Sequence, residues 1–440
     1  MKETNGRIQF ECREDLPATA MSLGGTAWNR TGSWKFLEPG YQNLTPPCSH
    51  ACLTDMDVVA MMRSVEAGDW DAAAQTVIAV NPFPSITGRT CPHPCETPCN
   101  RKAYGGGISV RDVERQVGDH KLRSDVRPEL PPMTHERVHV VGAGPAGLSA
   151  AVALRRLGHP VTVHGSTPEP GGLLWCGAAA DGLPTDIVRA EIAWVAGLGV
   201  EFEPTGRFTR DEIEALGPTI VSAASPGVSA ASPGVAAAAP GVSAASPGGA
   251  AAEPGRDVSP SDGAPSLPDA WGADGPSGAD PGRAAEAAAR RGAAIPDAIR
   301  HGRLAAHTLH AERTGVCVPA ADPLVDQGAS PEIAKFKALH MASFQRQAPA
   351  PCEVLDGEMR LHTLTAVEHG LSRAGATSEA TRCFKCGTCT DCDTCFHVCP
   401  DVAISKKAGG GYVIDLAHCK GCGVCVEECP RAAVHLRKST

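Results

Sequence analysis

Aromatic residues are scarce in this chain, with 9 Phe, 3 Tyr and 6 Trp among 440 residues. That leaves little material for the aromatic platforms on which proteins stack nucleic-acid bases. Positive charge is not in excess either, since the formal net charge is −9, which argues against nucleic acid as a partner. No run of 18 or more truly apolar residues occurs, so no membrane span is predicted. The N-terminal Met1-Lys-Glu-Thr-Asn-Gly-Arg lacks an apolar signal core, which argues against secretion and for a cytoplasmic, reducing setting. No Ser-His-Asp or paired-carboxylate constellation stands out.

Cysteine is abundant. There are 19 cysteines, and 10 of them fall between Cys383 and Cys429. Within that stretch Cys389, Cys392, Cys395 and Cys399-Pro400 are followed by Cys419, Cys422, Cys425 and Cys429-Pro430. Both runs read C-x2-C-x2-C-x3-C-P. Zinc sites show C-x2-C pairs separated by a longer gap, not two matched quartets each closed by Cys-Pro. The spacing resembles that of bacterial two-cluster ferredoxins, in which the fourth cysteine of each run ligates the other cluster. The resemblance implies one [4Fe–4S] cluster on Cys389, Cys392, Cys395 and Cys429, and a second on Cys419, Cys422, Cys425 and Cys399. The runs Val402-Ala403-Ile404 and Ala432-Ala433-Val434 are expected to pack the small core. Just upstream, Cys383-Phe-Lys-Cys386 finds no place in this register.

Towards the N-terminus, residues 1–45 read as an irregular or loosely docked arm carrying Trp28, Trp34 and an isolated Cys12. Two amphipathic helices follow, Asp55 to Val65 and Asp69 to Val80, separated by Gly68. They are bracketed by Cys48-x3-Cys52 and Cys91-x3-Cys95-x3-Cys99, which can converge on one cubane, with zinc as the alternative. The stretch Asn81-Pro82-Phe83-Pro84 to Gly88-Arg89-Thr90-Cys91-Pro92, with the Cys91/Cys95/Cys99 run, resembles the N-terminal iron–sulfur domain of the glutamate synthase small-subunit family. That domain also stands at the front of dihydropyrimidine dehydrogenase. The resemblance implies a [4Fe–4S] cluster on Cys52, Cys91, Cys95 and Cys99. A second cluster of that domain draws on a C-x2-C pair upstream of Cys48, where this chain has Asn43-Leu-Thr-Pro. That cluster is therefore expected to be absent, with Cys48 left unassigned.

From His135 an apolar strand feeds Gly142-Ala-Gly144-Pro145-Ala146-Gly147, which opens an alanine-rich helix followed by Pro160-Val-Thr-Val163. A G-x-G-x-x-G turn in this context starts a dinucleotide-binding fold, whose glycines let backbone N–H groups approach a pyrophosphate. The acidic residue that usually holds the ribose falls on His164-Gly165. By resemblance, Gly172-Leu173 is the flavin-side glycine element and Asp274 the aspartate near the ribityl phosphate. The helix from Asp297 to Ala306 is the one whose N-terminus faces the flavin. FAD is the implied cofactor, and a packing scaffold without flavin is the alternative.

After Pro218, where the fuller family inserts an NADPH domain, Ala/Ser/Pro/Gly heptads repeat from Ser222. Such repeats cannot bury a core, and no second glycine fingerprint occurs. Cys176, Cys317 and Cys352 are single cysteines, read as packing residues.

The expected organisation is a multidomain α/β chain. An arm (1–45) precedes a helical iron–sulfur domain (46–125) and the first half of a split, reduced Rossmann-like FAD domain (134–221). A disordered linker (222–266), the closing half (267–312) and a connector (313–380) lead to an α+β 2[4Fe–4S] ferredoxin domain (381–440). The expected function is an electron-transfer subunit of an oxidoreductase complex. Its partners would be other subunits or a soluble ferredoxin, by analogy a 2-oxoacid:ferredoxin oxidoreductase or a similar low-potential enzyme. A self-sufficient NAD(P)H-dependent oxidoreductase of the glutamate synthase small-subunit type and a non-catalytic iron–sulfur docking module are the alternatives.

Overall fold

A computed structural model describes residues 2–4, 7–9, 30–175, 183–206, 208–222, 235–238, 281–316, 330–359 and 368–439. Cys12, Trp28, Cys176, Asp274 and Cys317 lie outside these, as does most of the 222–266 repeat. The chain divides into two compact units, one of residues 1–89, 93–128 and 317–440, the other of residues 90–92 and 129–316.

In the first unit, residues 30–45 of the arm carry two strands. Residues Leu37–Tyr41 form β1 and Leu44–Thr45 form β2. The helices expected from periodicity follow as α1 (Val58–Glu66) and α2 (Trp70–Ile78). Asp57 and Asp69 start them by accepting the N–H groups of Ala60 and Ala72, each at 2.9 Å, which satisfies donors the first turn leaves open. Gly68 separates them at φ +77°. Next come α3 (Pro84–Thr90) and α4 (Val110–Arg123). Met61, Met62 and Val65 of α1, Ala73 and Val77 of α2, and Val113 and Val117 of α4 share one fully buried core.

In the second unit β3 (Val138–Val141), α5 (Pro145–Arg156), β4 (Val161–Gly165), α6 (Thr185–Ala196), β5 (Val200–Pro204), α7 (Arg210–Ala215) and β6 (Thr219–Ser222) alternate. A further strand, β7 (Val235–Ala238), pairs parallel to β6. The sheet order is β5-β4-β3-β6-β7, all parallel. That is the 3-2-1-4-5 order of a doubly wound nucleotide-binding sheet. The linker expectation thus fails at Val235-Ala-Ala-Ala, a stretch free of proline whose N–H groups can join a ladder. The closing helix α8 runs unbroken from Pro281 to Thr314 through Pro296. The expected helix start at Asp297 is therefore mid-helix, because the alanine-rich residues before it favour helix strongly. α8 lies close on α5. A Cβ on Gly302 would stand 1.9 Å from the Ala146 carbonyl oxygen, and Ser149 Oγ donates to Ile299 O at 2.8 Å.

The chain then returns to the first unit. Ser330–Ile333 forms β8 and pairs parallel with β2. After α9 (Arg373–Arg382) come β9 (Ile404–Lys406), β10 (Tyr412–Ile414) and β11 (Val434–Lys438). β9 and β10 form a hairpin, and β11 pairs antiparallel with β1 from Val434↔Tyr41 to Lys438↔Leu37. Residues 37–41 of the arm are thus a wall of the C-terminal domain. Their partner strand lies almost 400 residues away, so no local signal marks them.

Candidate iron–sulfur and nucleotide sites

The two C-terminal cysteine runs fold as near copies. In each, the first C-x2-C turn carries a left-handed residue two places after its first cysteine and another one place after its second. These are Asp391 (φ +53°) and Asp393 (φ +64°) in one run, Gly421 (φ +74°) and Gly423 (φ +79°) in the other. Three residues past the fourth cysteine, Val402 (φ +51°) and Ala432 (φ +56°) are left-handed too. The N–H groups of Ala403 and Ala433 then donate to Cys399 Sγ (3.3 Å) and Cys429 Sγ (3.4 Å). Val402 does not pack the core as expected, being 67% exposed, because this turn swings its side chain outward. Ala403, Ile404 and Ala432 to Val434 are buried.

One cavity is lined by Cys399, Cys419, Cys422 and Cys425. Burial pushes the Cys425 thiol up to about 12, and Cys419, Cys399 and Cys422 add to it. In the other group, burial raises the Cys395 thiol, helped by Cys429 and Cys392 and opposed by Tyr41. Burial raises Cys389 as well, with Cys395 and Cys429 contributing. Thiols held protonated in this way must release protons to bind metal. The donor set, wrapped turns and N–H···S bonds fit the cubanes that the spacing implies.

The arm builds one side of these sites. Tyr41 Oη lies 3.2 Å from Cys395 Sγ, and its ring stacks on Tyr412 with centroids 5.9 Å apart. Thr31 Oγ1 donates to His418 O at 2.5 Å, beside Cys419. A Cβ on Gly421 would meet the Leu37 carbonyl oxygen at 2.1 Å. Sequence reasoning missed Tyr41, since tyrosine has no ligand spacing to betray it.

In the N-terminal region, Cys95 is buried and Cys52 and Cys99 pack at the edge of the helical core, as does Cys48. Cys52 Sγ is 3.3 Å from Thr54 Oγ1. Cys91 lies in the three-residue stretch grouped with the second unit. Nearby Glu114 is completely buried, accepting from Asn81 Nδ2 (2.8 Å) and Thr87 Oγ1 (2.6 Å). Burial raises its carboxyl to about 7, against the pull of those donors. Cys99 also lines a cavity with Cys48, Cys383 and Cys386, a grouping the sequence register left unassigned. Burial pushes the Cys48 thiol well up, and Cys383, Cys386 and Cys99 push it further.

At the nucleotide fold, Gly142 turns at φ +111°. A Cβ on Gly147 would sit 1.8 Å from Gly142 O, whereas one on Gly144 would meet nothing within 4 Å. The turn thus needs its third glycine and keeps open space over its second, as a pyrophosphate cradle requires. Pro145 and Ala146 begin α5. Gly171 N–H donates to Ala143 O at 2.7 Å, holding Gly172 and Leu173 over the turn. Gly165 ends β4 with no acidic side chain, and His164 there lies 2.9 Å from His139. The cradle fits a dinucleotide phosphate; the ribose contact is missing at its usual place.

Comparison with known proteins agrees with these parts. Residues 41–126 match the family model of the dihydropyrimidine dehydrogenase domain II 4Fe–4S cluster. Residues 388–434 match a 4Fe–4S dicluster domain, and residues 140–192 an NAD(P)-binding Rossmann-like domain. The chain therefore has a helical N-terminal iron–sulfur domain, a Rossmann-like region and a C-terminal 4Fe–4S ferredoxin domain. Among similar proteins is the NADPH-Fe(3+) oxidoreductase subunit beta of Geobacter sulfurreducens, 30% identical over 38% of this chain and 25% of its own length. The putative oxidoreductase AegA of Escherichia coli is 34% identical over 36% and 24%. The glutamate synthase [NADPH] small chain of Bacillus subtilis is 35% identical over 31% and 28%. The alignments thus span about a quarter of these relatives' lengths. No helix among the described residues is long and apolar enough to cross a membrane.

Proposed function

We propose that this chain is an electron-transfer subunit of an oxidoreductase complex. It carries two C-terminal [4Fe–4S] clusters, an N-terminal [4Fe–4S] centre and a flavin. The supporting observation is the cavity lined by Cys399 together with Cys419, Cys422 and Cys425, in which the last cysteine of one run crosses to the other. The sequence-derived assignment places one cubane on that set and its twin on Cys389, Cys392, Cys395 and Cys429. By resemblance, Cys52, Cys91, Cys95 and Cys99 serve the N-terminal centre.

Gly142, Gly144, Pro145, Ala146 and Gly147 hold the phosphates of FAD, with Gly172 and Leu173 closing over them. By resemblance, Asp274 is the aspartate proposed to serve the ribityl phosphate. A bound flavin supplies the exchange between two-electron and one-electron chemistry. The chain's own contribution is to fix the phosphates at a helix N-terminus. The partner is another subunit or a ferredoxin, such as a 2-oxoacid:ferredoxin oxidoreductase.

Anaerobic purification with associated proteins, followed by iron, sulfide and flavin assay, tests this. Iron and FAD together with a co-purifying oxidoreductase subunit support it. A flavin-free protein that keeps its clusters and has no redox partner would sink it in favour of a docking module. The NAD(P)-binding description of residues 140–192 favours a second reading, direct oxidation of NADPH. Bleaching of the bound flavin by NADPH alone would establish that reading instead.

A further inference from the structure

The first unit contains a second four-cysteine cavity. It is lined by Cys48, Cys99, Cys383 and Cys386. It holds the same number of thiols as the cavity on Cys399, Cys419, Cys422 and Cys425.

The backbone around Cys383 and Cys386 repeats the turn seen in both ferredoxin runs. Lys385, two residues after Cys383, has φ +52°, and Gly387, one after Cys386, has φ +75°. A left-handed lysine is uncommon. Here it is held because its buried side chain pairs with Glu66 Oε2 at 2.6 Å. A Cβ on Gly387 would meet Leu44 O at 2.6 Å, so the turn is also fixed from outside. Three C-x2-C turns in one chain thus share one conformation, and two of them belong to the expected cubane sites.

The sulfurs receive donors as cluster sulfurs do. The Lys385 N–H donates to Cys383 Sγ at 3.5 Å, and Asn100 Nδ2 donates to Cys386 Sγ at 3.4 Å. Among the described residues no three His, Cys, Asp or Glu close to the spacing of a single metal ion.

We propose that Cys48, Cys99, Cys383 and Cys386 ligate a further [4Fe–4S] cluster, built from opposite ends of the sequence. The pair Cys383 and Cys386 takes the place of the C-x2-C that is missing upstream of Cys48. Cys99 then serves this site rather than the group of Cys52, Cys91 and Cys95. Cys386 lies three residues from Cys389, a reach of about 10 Å at most along the chain. The cluster is thereby placed next to the ferredoxin pair as a relay. The proposal does not depend on a flavin or on the identity of a partner.

Anaerobically purified full-length protein and its Cys383→Ser/Cys386→Ser variant would be assayed for iron, sulfide and zinc. Paramagnetic resonance of the reduced proteins would be recorded alongside. The expected result is a loss of about four irons and four sulfides and of one spectral component, with the ferredoxin signals kept. Cys48→Ser alone should remove the same component, which guards against a misfolded double variant. Adding Cys52→Ala to the double variant should remove a further cluster. Unchanged iron in the cysteine variants would overturn the proposal. So would loss of one zinc with iron untouched, or a Cys52→Ala spectrum identical to that of the double variant.

Discussion

At the scale of single residues, the cysteines were the legible part and their neighbours were not. Ligand spacing is imposed by the cluster, so Cys389 to Cys429 announce themselves; a hydrogen-bond donor to sulfur can come from anywhere in the chain. Tyr41 is such a donor. Against a cluster-bound thiolate its hydroxyl can only donate, which stabilises the reduced, more negative centre. Tyr41→Phe should lower the potential of the Cys395 cluster by up to roughly 40 mV, the limit reached when all of the bond's roughly 1 kcal/mol belongs to the reduced state, at about 59 mV per tenfold for one electron. Protein-film voltammetry of the two proteins would reveal it, and equal potentials would refute the role. Glu114 gives a second prediction. Its carboxyl is raised by burial to about 7, so the folded state holds a proton that the unfolded chain releases near the ordinary carboxylate value. That stability is complete below about pH 4.3 and is lost as pH rises through about 7. Glu114→Gln, which keeps an acceptor for Asn81 and Thr87, should flatten the fall in denaturation midpoint between pH 5.5 and 8. An unchanged slope would show that other groups carry it.

At the scale of elements, α1 and α2 were readable because apolar periodicity and the capping aspartates agree. The element that delivers Cys383 and Cys386 was not readable. α9 is held by Arg382 and Glu379, paired at 2.6 Å with both side chains fully buried. Arg382 also donates to the carbonyls of Gly105, Gly106, Gly107 and Gln347. Glu379 accepts the N–H groups of Ser109 and Ala350. These partners are scattered through the sequence, so no window shows them. Removing one member leaves a buried charge unpaired, at a cost of about 3–5 kcal/mol. Glu379→Ala should therefore lower stability by that order and loosen Cys383 and Cys386 before the ferredoxin sites. Denaturation with iron release followed by visible absorbance tests both points. Asp69→Ala, which removes only a helix cap and costs about 1 kcal/mol, should leave the iron content unchanged.

For the whole molecule, the sequence conveyed which domains exist but not how the chain is threaded through them. The cysteine runs and the glycine fingerprint are local, whereas β1 with β11 and β2 with β8 join segments hundreds of residues apart. A variant lacking residues 1–45 should lose the strand beside β11 and the Tyr41 contact. Its C-terminal clusters should bleach markedly faster in air than those of the full chain, as followed by absorbance; equal rates would mean that the arm is dispensable. The pairing of distant segments also sets an order of events during synthesis. Cys48 and Cys99 leave the ribosome long before Cys383 and Cys386 exist. At about 5–20 residues per second, the delay is on the order of tens of seconds. For that interval the early thiols stand as a half-built receptacle, open to oxygen and stray metals. A cluster on these four thiols would have to wait until Cys383 and Cys386 have been made and brought back to Cys48 and Cys99.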